Sequence, residues 1–213
     1  MKTLIIDNYD SMTFKLFQYV GEINGEEPMV VRNDEVDWGA IESLDIDNII
    51  ISSGPGRPER AEDFGISRSA ILYARIPLLA VCLGHQGIGH LFGGTVQHLP
   101  EPTHGRANLV YHDGQDLFQG IPSPFSVVRY HSLIVDPKLP DTLEVQAKTA
   151  DGLIMALRCR SRPLWGVQFH PESVCTEFGK QVLTNFRHCT ERSRRCSGIA
   201  IPGNRGLVWY HIV

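Results

Sequence analysis

Short apolar runs and longer amphipathic segments alternate along the chain up to Gly94. An uninterrupted apolar run predicts a strand buried on both faces, whereas apolar residues at helical spacing predict a helix. The pattern predicts strands over residues 3–6, 29–31, 49–51 and 78–81, and helices over residues 12–23, 38–44, 66–74 and 85–92. In the first helix, the predicted apolar positions are Phe14, Phe17, Val20 and Ile23. Repeated β-α units predict an α/β fold with a mostly parallel central sheet flanked by helices, and with functional loops at the carboxyl ends of the strands.

The pattern changes after Gly94, where short apolar segments are separated by turns rich in Pro, Gly and Asp. Predicted strands cover residues 95–96, 107–111, 125–128, 143–147, 153–157 and 164–169. An amphipathic helix over residues 177–189 follows them, with Phe178, Val182, Leu183 and Phe186 on one side. This second part of the chain therefore predicts an antiparallel extension of the sheet.

Cys82 stands where the apolar run 78–81 ends and a glycine-containing helical segment begins. A tight turn between a strand and a helix lifts one side chain out of the sheet edge and directs the N–H groups of the new helix toward it. A thiol at such a place ionises more easily, because those donors stabilise the thiolate. The alternative is that Cys82 is an ordinary buried cysteine, but the glycines around it favour a built site.

Two other loops carry candidate chemistry. The segment 52–58 follows a predicted strand and places Gly54 and Gly56 around a proline, so its backbone N–H groups could stabilise an oxyanion, although a simple turn is the alternative. Its sequence lacks the ending of a phosphate-binding P-loop.

His170 and Glu172 lie two residues apart in a late extended segment, so their side chains leave on the same side. A carboxylate beside an imidazole supports general-base chemistry on a thiol, although many such pairs are only surface residues.

Composition narrows the class of protein. The chain has 213 residues, of which 42% are hydrophobic and 21% charged, as expected for one globular domain. A net charge of -4 without long charged runs gives no reason to expect a nucleic acid or a membrane as partner. We find no spanning segment or signal peptide. The five cysteines contain no C-x-x-C pair, which favours free thiols in a reducing compartment and a cytoplasmic location.

With these residues identified, the chain resembles the triad-type (class I) glutamine amidotransferases, in particular the glutaminase components of anthranilate and aminodeoxychorismate synthases. The resemblance covers residues 2–189 and rests on IDNYDSMTFKL, SSGPGRP, VCLGHQ, RYHSL and GVQFHPES. Two positions depart from the family pattern: Met12 stands where Phe is usual, and Ala80 occupies the first position of the G-x-C-x-G elbow. Because a methyl group is a small intrusion, we still expect the turn to form.

The resemblance implies a role for each matching residue. Cys82 is expected to be the nucleophile, His170 the base and then the acid, and Glu172 the residue that orients the imidazole. The backbone around Gly56 and Leu83 is expected to form the oxyanion hole. The residues expected to hold glutamine are Gly54, Pro55, Gly56, Gln86, Ser132 and Leu133. Cys159 and Cys175 match no catalytic position, and we interpret them as packing or surface residues.

The resemblance also implies a partner. The glutaminase is expected to hydrolyse L-glutamine and to deliver ammonia to a separate chorismate-binding synthase subunit, which would hold Mg²⁺, whereas no metal or cofactor is expected in this chain. Two hypotheses from other classes remain. A cysteine peptidase or other hydrolase is disfavoured by Gln86 and the segment 131–133, and a non-catalytic binding subunit is disfavoured because every triad residue is present.

The choice between the two pathways rests on surface segments. Residues 62–66, 101–106 and 139–140 look more like aminodeoxychorismate synthase glutaminases, and anthranilate synthase is the alternative. In the predicted loop 101–106, His104 and Arg106 could contact the synthase, and a structural role is the alternative. Residues 1–190 form the predicted amidotransferase domain. Residues 191–213 do not resemble the family, and we expect a flexible tail there, although the apolar end 208–213 could instead pair as a strand or touch a partner.

Overall fold

A single mixed sheet runs through the chain and sets the position of every candidate residue. The computed structural model describes residues 1–196, apart from the side chains of residues 100–104, 106 and 196. In this part of the chain the strands are β1 (Thr3–Asp7), β2 (Met29–Arg32), β3 (Asn48–Ile51), β4 (Leu78–Val81), β5 (Val96–His112), β6 (Phe125–Val135), β7 (Leu143–Thr149), β8 (Ile154–Cys159) and β9 (Leu164–Val167). The helices are α1 (Thr13–Asn24), α2 (Trp38–Glu42), α3 (Ala61–Phe64), α4 (Ser67–Tyr73), α5 (Leu83–Leu91) and α6 (Gly179–Cys196), with a 3-10 turn at Asp116–Phe118.

The parallel half of the sheet confirms the predicted β-α alternation. The strand order is β2-β1-β3-β4-β9-β8-β7-β5-β6, and the pairs from β2 through β9 are parallel. Because parallel strands point the same way, the loops after β1, β3, β4 and β9 meet at one edge of the sheet. These loops hold Asp10, Gly56, Cys82 and His170, so the topology brings distant parts of the sequence together.

The antiparallel half also confirms the predicted extension, with two corrections. Strand β9, predicted within this extension, pairs parallel with β4, and one predicted loop is wrong. Residues 101–106, predicted as a loop between two short strands, belong to the continuous strand β5, which pairs with β6. The register shifts between His98 and Thr103 and again between His104 and Arg106. Such irregularities let a strand absorb prolines and a glycine without a break in the sheet, because the residues within them need no ladder hydrogen bond.

Two layers of helices cover the sheet. Alternate residues of each buried strand point to opposite faces: Ile5 and Leu79 pack with α1 and α6, whereas Leu4 and Leu78 pack with α2 to α5. This arrangement explains the continuous apolar runs of β1, β3 and β4, which are buried on both faces, whereas the edge strand β2 is partly exposed.

Two helices differ from their predicted form. Phe14 was predicted on the apolar face of α1 but is 74% exposed, and the buried residues of that helix are Thr13, Leu16 and Val20. Helix α6 continues beyond the predicted end at residue 189 as far as Cys196, and Arg194 in this extension pairs with Asp47. The predicted tail boundary at residue 190 falls inside α6. Residues 197–213 lie outside the described residues, so the tail stays a prediction.

The helices were also compared with the dimensions of a lipid bilayer. Within residues 1–196, no helix combines the length and the apolar character that crossing a membrane requires.

Candidate active site

Cys82 lies at the junction of β4 and α5 in a strained backbone conformation. Its φ of 49° and ψ of -95° are unusual for a residue with a side chain, and it precedes the first residue of α5. The bond from its N–H to the carbonyl of Val167 measures 2.8 Å and holds the turn to β9. Gly84 makes the turn possible, since a Cβ there would lie 2.9 Å from the Cβ of Ala80. The extra methyl of Ala80 is therefore accommodated because Gly84 has no side chain.

The loop after β3 brings backbone groups to the same place. Gly56 has a φ of 87°, and a Cβ on it would lie 2.3 Å from the Asp63 side chain, so only glycine fits. Asp63 fixes this loop by accepting a hydrogen bond of 3.0 Å from the N–H of Arg57. Among the described residues, the N–H groups of Gly56 and Leu83 have no hydrogen-bond partner. They are therefore free to donate to a developing negative charge.

His170 and Glu172 follow β9 and form a buried pair. Nδ1 of His170 and Oε1 of Glu172 are 2.6 Å apart, and both side chains are almost fully buried. Burial alone lowers the pKa of His170, but the interactions with Cys82 and Glu172 outweigh it and raise the pKa to about 11. Within the described chain, Nε2 of His170 has no well-formed hydrogen bond, so its interaction with the thiol is a longer-range one. The pair is arranged to hold a positive imidazolium beside Cys82.

A cavity of about 180 Å³ opens beside these groups. Its walls come from the loop after β3, the elbow, α5 and the middle of β6, and the lining residues are Gly54, Pro55, Gly56, Cys82, Leu83, Gln86, Tyr130, His131, Ser132 and Leu133. A larger depression of about 550 Å³ lies over β5 and β7, but no residue of the triad lines it. We take the smaller cavity as the candidate site because Cys82, Gly56 and Leu83 line it.

The structure places all six predicted glutamine-binding residues along this cavity. Gln86 is turned inward, where its Nε2 donates to the carbonyl of Leu133 at 3.2 Å and to Oε1 of Gln168 at 3.3 Å. Ser132 and Leu133 belong to β6 rather than to a loop. The strand therefore presents a rigid wall opposite the elbow.

Sequence reasoning missed two residues at this site. Gln168 is completely buried, and its Nε2 lies 3.5 Å from Sγ of Cys82. Asp10, in the loop after β1, has a carboxylate oxygen within 4.8 Å of ligand atoms of His170 and Glu172. Both residues belong to motifs quoted above, but neither shows a spacing that marks it as reactive. Because Nδ1 of His170 is already bonded to Glu172, we interpret the three-residue cluster as the charged surroundings of an imidazolium rather than a metal site.

Asp10 has an altered acidity. Burial raises the pKa of its carboxyl, and the opposing effects of His170 and Glu172 leave that pKa above its usual range. Asp10 is held by a braced loop, since Tyr9 adopts a positive φ of 61° and its hydroxyl donates to Asp34 at 2.8 Å. The carboxyl group is therefore fixed near the imidazole by the backbone that precedes it.

A second buried histidine lies on the β6 wall. Nε2 of His131 accepts a hydrogen bond of 2.9 Å from Nε of Arg129, and its Nδ1 lies 2.9 Å from the carbonyl of Leu133. Burial and the charge of Arg129 lower the pKa of His131 to about 3. Since arginine can only donate, His131 is neutral and its Nδ1 carries the proton.

The remaining predicted residues lie near but not in the cavity. The backbones of His104 and Arg106 pair with Tyr130 and Arg129 of β6, the strand that lines the cavity. Their side chains lie outside the described residues, so contact with a partner stays a prediction. Cys159 is buried and Cys175 exposed, as the predicted packing and surface roles require.

Comparison with known proteins points to one family. The model of the family "Glutamine amidotransferase class-I" matches residues 4–189. The aminodeoxychorismate synthase of Streptomyces griseus is 51% identical over 197 residues, which are 92% of this chain but 27% of that protein. Anthranilate synthase component 2 of Methanothermobacter marburgensis is 51% identical over 189 residues, 86% of this chain and 96% of that protein.

A solved structure supports the same conclusion. The crystal structure of a protein from Thermoplasma acidophilum, described as part of a putative GMP synthase, superposes with a TM-score of 0.82 at 26% identity, covering 93% of this chain and 98% of that one. The family match spans the elbow, the loop after β3 and the buried His170–Glu172 pair. This chain belongs to the class I glutamine amidotransferase family.

Proposed function

We propose that this chain is a glutaminase that hydrolyses L-glutamine through a thioester on Cys82 and supplies ammonia to a synthase subunit. The observation that carries the proposal is that Cys82 and two unpaired backbone N–H groups line one cavity, while the buried His170–Glu172 pair interacts with the thiol of Cys82. A binding protein without catalysis has no need for a strained elbow or a buried imidazolium.

The mechanism follows from the positions of these groups. Before substrate binds, Nε2 of His170 already holds the proton of the thiol, because the raised pKa keeps the imidazole charged, and the thiolate attacks the side-chain amide carbon of glutamine. The N–H groups of Gly56 and Leu83 stabilise the resulting oxyanion. His170 then returns the proton to the amide nitrogen, and the C–N bond breaks to release ammonia. A water molecule, deprotonated by His170, hydrolyses the γ-glutamyl thioester to glutamate and restores Cys82.

The cavity supports glutamine as the substrate. Its volume of about 180 Å³ suits a small amino acid rather than a peptide. Because Nε2 of Gln86 is already engaged, Oε1 of Gln86 is the atom left to accept from the substrate, and Ser132 adds a hydroxyl to the opposite wall. Gly54 and Pro55 line the same cavity beside the elbow, and Gly54 carries no side chain because a Cβ there would lie 2.4 Å from the carbonyl oxygen of Asn8.

A partner subunit is proposed from the exposed side chains around the site. Several large apolar residues are solvent-exposed in the segments that carry the candidate groups, with Val174 at 77%; they are Tyr9, Phe14, Tyr130, Val174 and Phe178. Exposed apolar patches mark interaction sites, and a covering subunit would keep ammonia from escaping. We propose that a chorismate-binding synthase docks here and that His104 and Arg106 contribute to the contact. The isolated chain is expected to be nearly inactive until the partner aligns the loop around Gly56.

The product proposed for the complex is 4-amino-4-deoxychorismate. The segments 62–66, 101–106 and 139–140 favour this pathway over anthranilate formation. The relatives of both names are equally similar to this chain, at 51% identity. The same cavity serves either pathway, because the reaction on glutamine is the same and only the synthase differs.

Two measurements test the proposal. With glutamine, the Cys82 peptide should carry a γ-glutamyl group in mass spectrometry after acid quenching, and Cys82→Ala should carry none. A complex with the synthase, supplied with chorismate, glutamine and Mg²⁺, should form 4-amino-4-deoxychorismate. Direct formation of 2-aminobenzoate without an added lyase would show that the complex makes anthranilate, and it would leave the proposed glutaminase activity unaffected. Cleavage of peptides in preference to glutamine would overturn the glutaminase itself.

A further inference from the structure

A chain of buried hydrogen bonds connects the β6 wall to the sulfur of Cys82. It begins at Arg129 and passes through His131, the carbonyl of Leu133, Gln86 and Gln168. The last link is the 3.5 Å contact from Nε2 of Gln168 to Sγ of Cys82. All of these side chains are at least nine-tenths buried, so water does not compete for the bonds.

The direction of each bond in this chain is determined by two groups with a single role, the guanidinium of Arg129, which only donates, and the carbonyl of Leu133, which only accepts. A guanidinium can only donate, so Nε2 of His131 accepts and its Nδ1 donates to the Leu133 carbonyl. That carbonyl can only accept, so Gln86 must turn its Nε2 toward it. The same Nε2 also donates to Oε1 of Gln168. The amide of Gln168 is thereby oriented with its NH₂ group toward the sulfur.

We propose that Gln168 is a further catalytic residue, a fixed hydrogen-bond donor that stabilises the thiolate of Cys82, and that Gln86, held by the carbonyl of Leu133, is the positioning residue that orients it. The inference rests on the proposed function in one respect, since it takes Cys82 as the nucleophile. A donor at this place acts twice: it favours the thiolate before attack, and it stabilises the same thiolate when water displaces it from the thioester.

The other groups near the sulfur do not replace this donor. His170 supplies the opposite charge, but its Nε2 makes no well-formed hydrogen bond within the described residues. His131 and His85 are neutral, since burial lowers the pKa of each, to about 3 and about 4. The acidic groups on the His170 side are Glu172 and Asp10.

The test compares two glutamines that are both buried. Gln168→Met has nearly the same volume and removes the donor, whereas Gln146→Met makes the same change at a buried glutamine in β7 that has no contact with the site. Alkylation of Cys82 by iodoacetamide is followed as a function of pH. It must be read on the Cys82 peptide by mass spectrometry, because Cys175 is exposed and reacts as well.

We expect Gln168→Met to slow alkylation at neutral pH about tenfold and to move the pH midpoint up by about one pH unit, whereas Gln146→Met leaves both unchanged. Gln168→Glu is a second variant that still accepts from Gln86 but presents an acceptor to the sulfur, so its midpoint should rise further. An unchanged midpoint in a folded Gln168 variant, or an equal rise in Gln146→Met, would overturn the proposal. So would unfolding of both Gln168 variants by circular dichroism, since Gln168 would then serve the fold.

The result of the alkylation experiment can be distinguished from a failure of the proposed glutaminase function. Alkylation requires neither glutamine nor a synthase. If the wild-type complex did not turn over glutamine, the glutaminase proposal would fail while the alkylation result stood.

Discussion

Two segments on different sides of Cys82 each bury a histidine, and the two imidazoles prefer opposite charge states. In the segment after β9, His170 has its pKa raised to about 11, and on the β6 wall His131 has its pKa lowered to about 3. Burial opposes the charged form in both, so burial alone does not explain the difference. The neighbours do: His170 lies against Glu172 and the thiol of Cys82, whereas His131 lies against Arg129.

The comparison shows that the two segments require different charge states of their histidines. The segment after β9 exchanges a proton with the sulfur and therefore needs an imidazole that can be charged. The β6 wall fixes the direction of Gln86 and Gln168 through the carbonyl of Leu133, to which His131 donates as a neutral imidazole. Each histidine can be altered separately, which allows the comparison to be tested.

The largest effect is expected from His170→Ala. Loss of the general base should reduce glutamine hydrolysis by the complex on the order of 10²–10⁴-fold. His131→Asn in the same assay should lose less than about tenfold, because it affects only orientation. Release of glutamate, measured at saturating glutamine, checks both variants. Equal losses of activity in the two variants would show that His170 and His131 do not differ in function.

The next effect concerns stability in acid. His131 has a folded pKa of about 3, below its ordinary value, so it binds fewer protons in the folded state than in the unfolded state. Its contribution to stability is therefore present above pH 6.5 and is lost as the pH falls toward 3. Between pH 7 and pH 5 this loss should be about 2 kcal/mol from His131.

The variant His131→Asn isolates this contribution. Its free energy of unfolding in urea should fall less between these two pH values than that of the wild type. The acid sensitivity that remains belongs in part to His85, whose pKa burial lowers to about 4. Identical slopes in variant and wild type would contradict a neutral His131.

A smaller effect is expected from Glu172→Gln. The amide still accepts from Nδ1 of His170, but it lacks the charge that raises the pKa of the imidazole. Hydrolysis should fall roughly tenfold, which corresponds to about one pKa unit of lost stabilisation.

Glu172→Gln should also change how the folding stability depends on pH. The stabilisation that the raised pKa of His170 provides is complete below pH 6.5 and is lost as the pH rises toward 11. Glu172→Gln should move that loss to lower pH, as measured by urea unfolding across the alkaline range. A loss of activity as large as that of His170→Ala would show that Glu172 does more than orient and charge the imidazole.

Much of the fold and the triad could be predicted from the sequence because their signals are local. Four short apolar runs predicted the parallel strands, and an abrupt change from apolar to glycine-rich sequence predicted the elbow at Cys82. His170 and Glu172 were predicted as a pair because two residues in an extended segment share a side. Their position beside Cys82 did not follow from the predicted strand order, because the segment 164–169 was assigned to the antiparallel extension, whereas β9 pairs parallel with β4.

The features that were missed depend on contacts between distant segments. Gln168 points at Cys82 only because Gln86 and the β6 wall orient it, and Asp10 reaches His170 only through the sheet topology. Strand β5 was divided in the prediction because its prolines were interpreted as a loop, whereas pairing with β6 holds it together. Phe14 has the spacing of a core residue, and its exposure is decided by which face of α1 meets α6.

The most direct test of the central claim compares two nitrogen sources in the complex with the synthase subunit. Product formed from chorismate is measured with glutamine and, separately, with ammonium salts, for the wild type and for Cys82→Ala. The variant should form no product with glutamine but should match the wild type with ammonium, because only the source of ammonia is removed. Loss of both activities, or product formation from glutamine by Cys82→Ala, would contradict the assignment of Cys82 as the nucleophile that supplies ammonia.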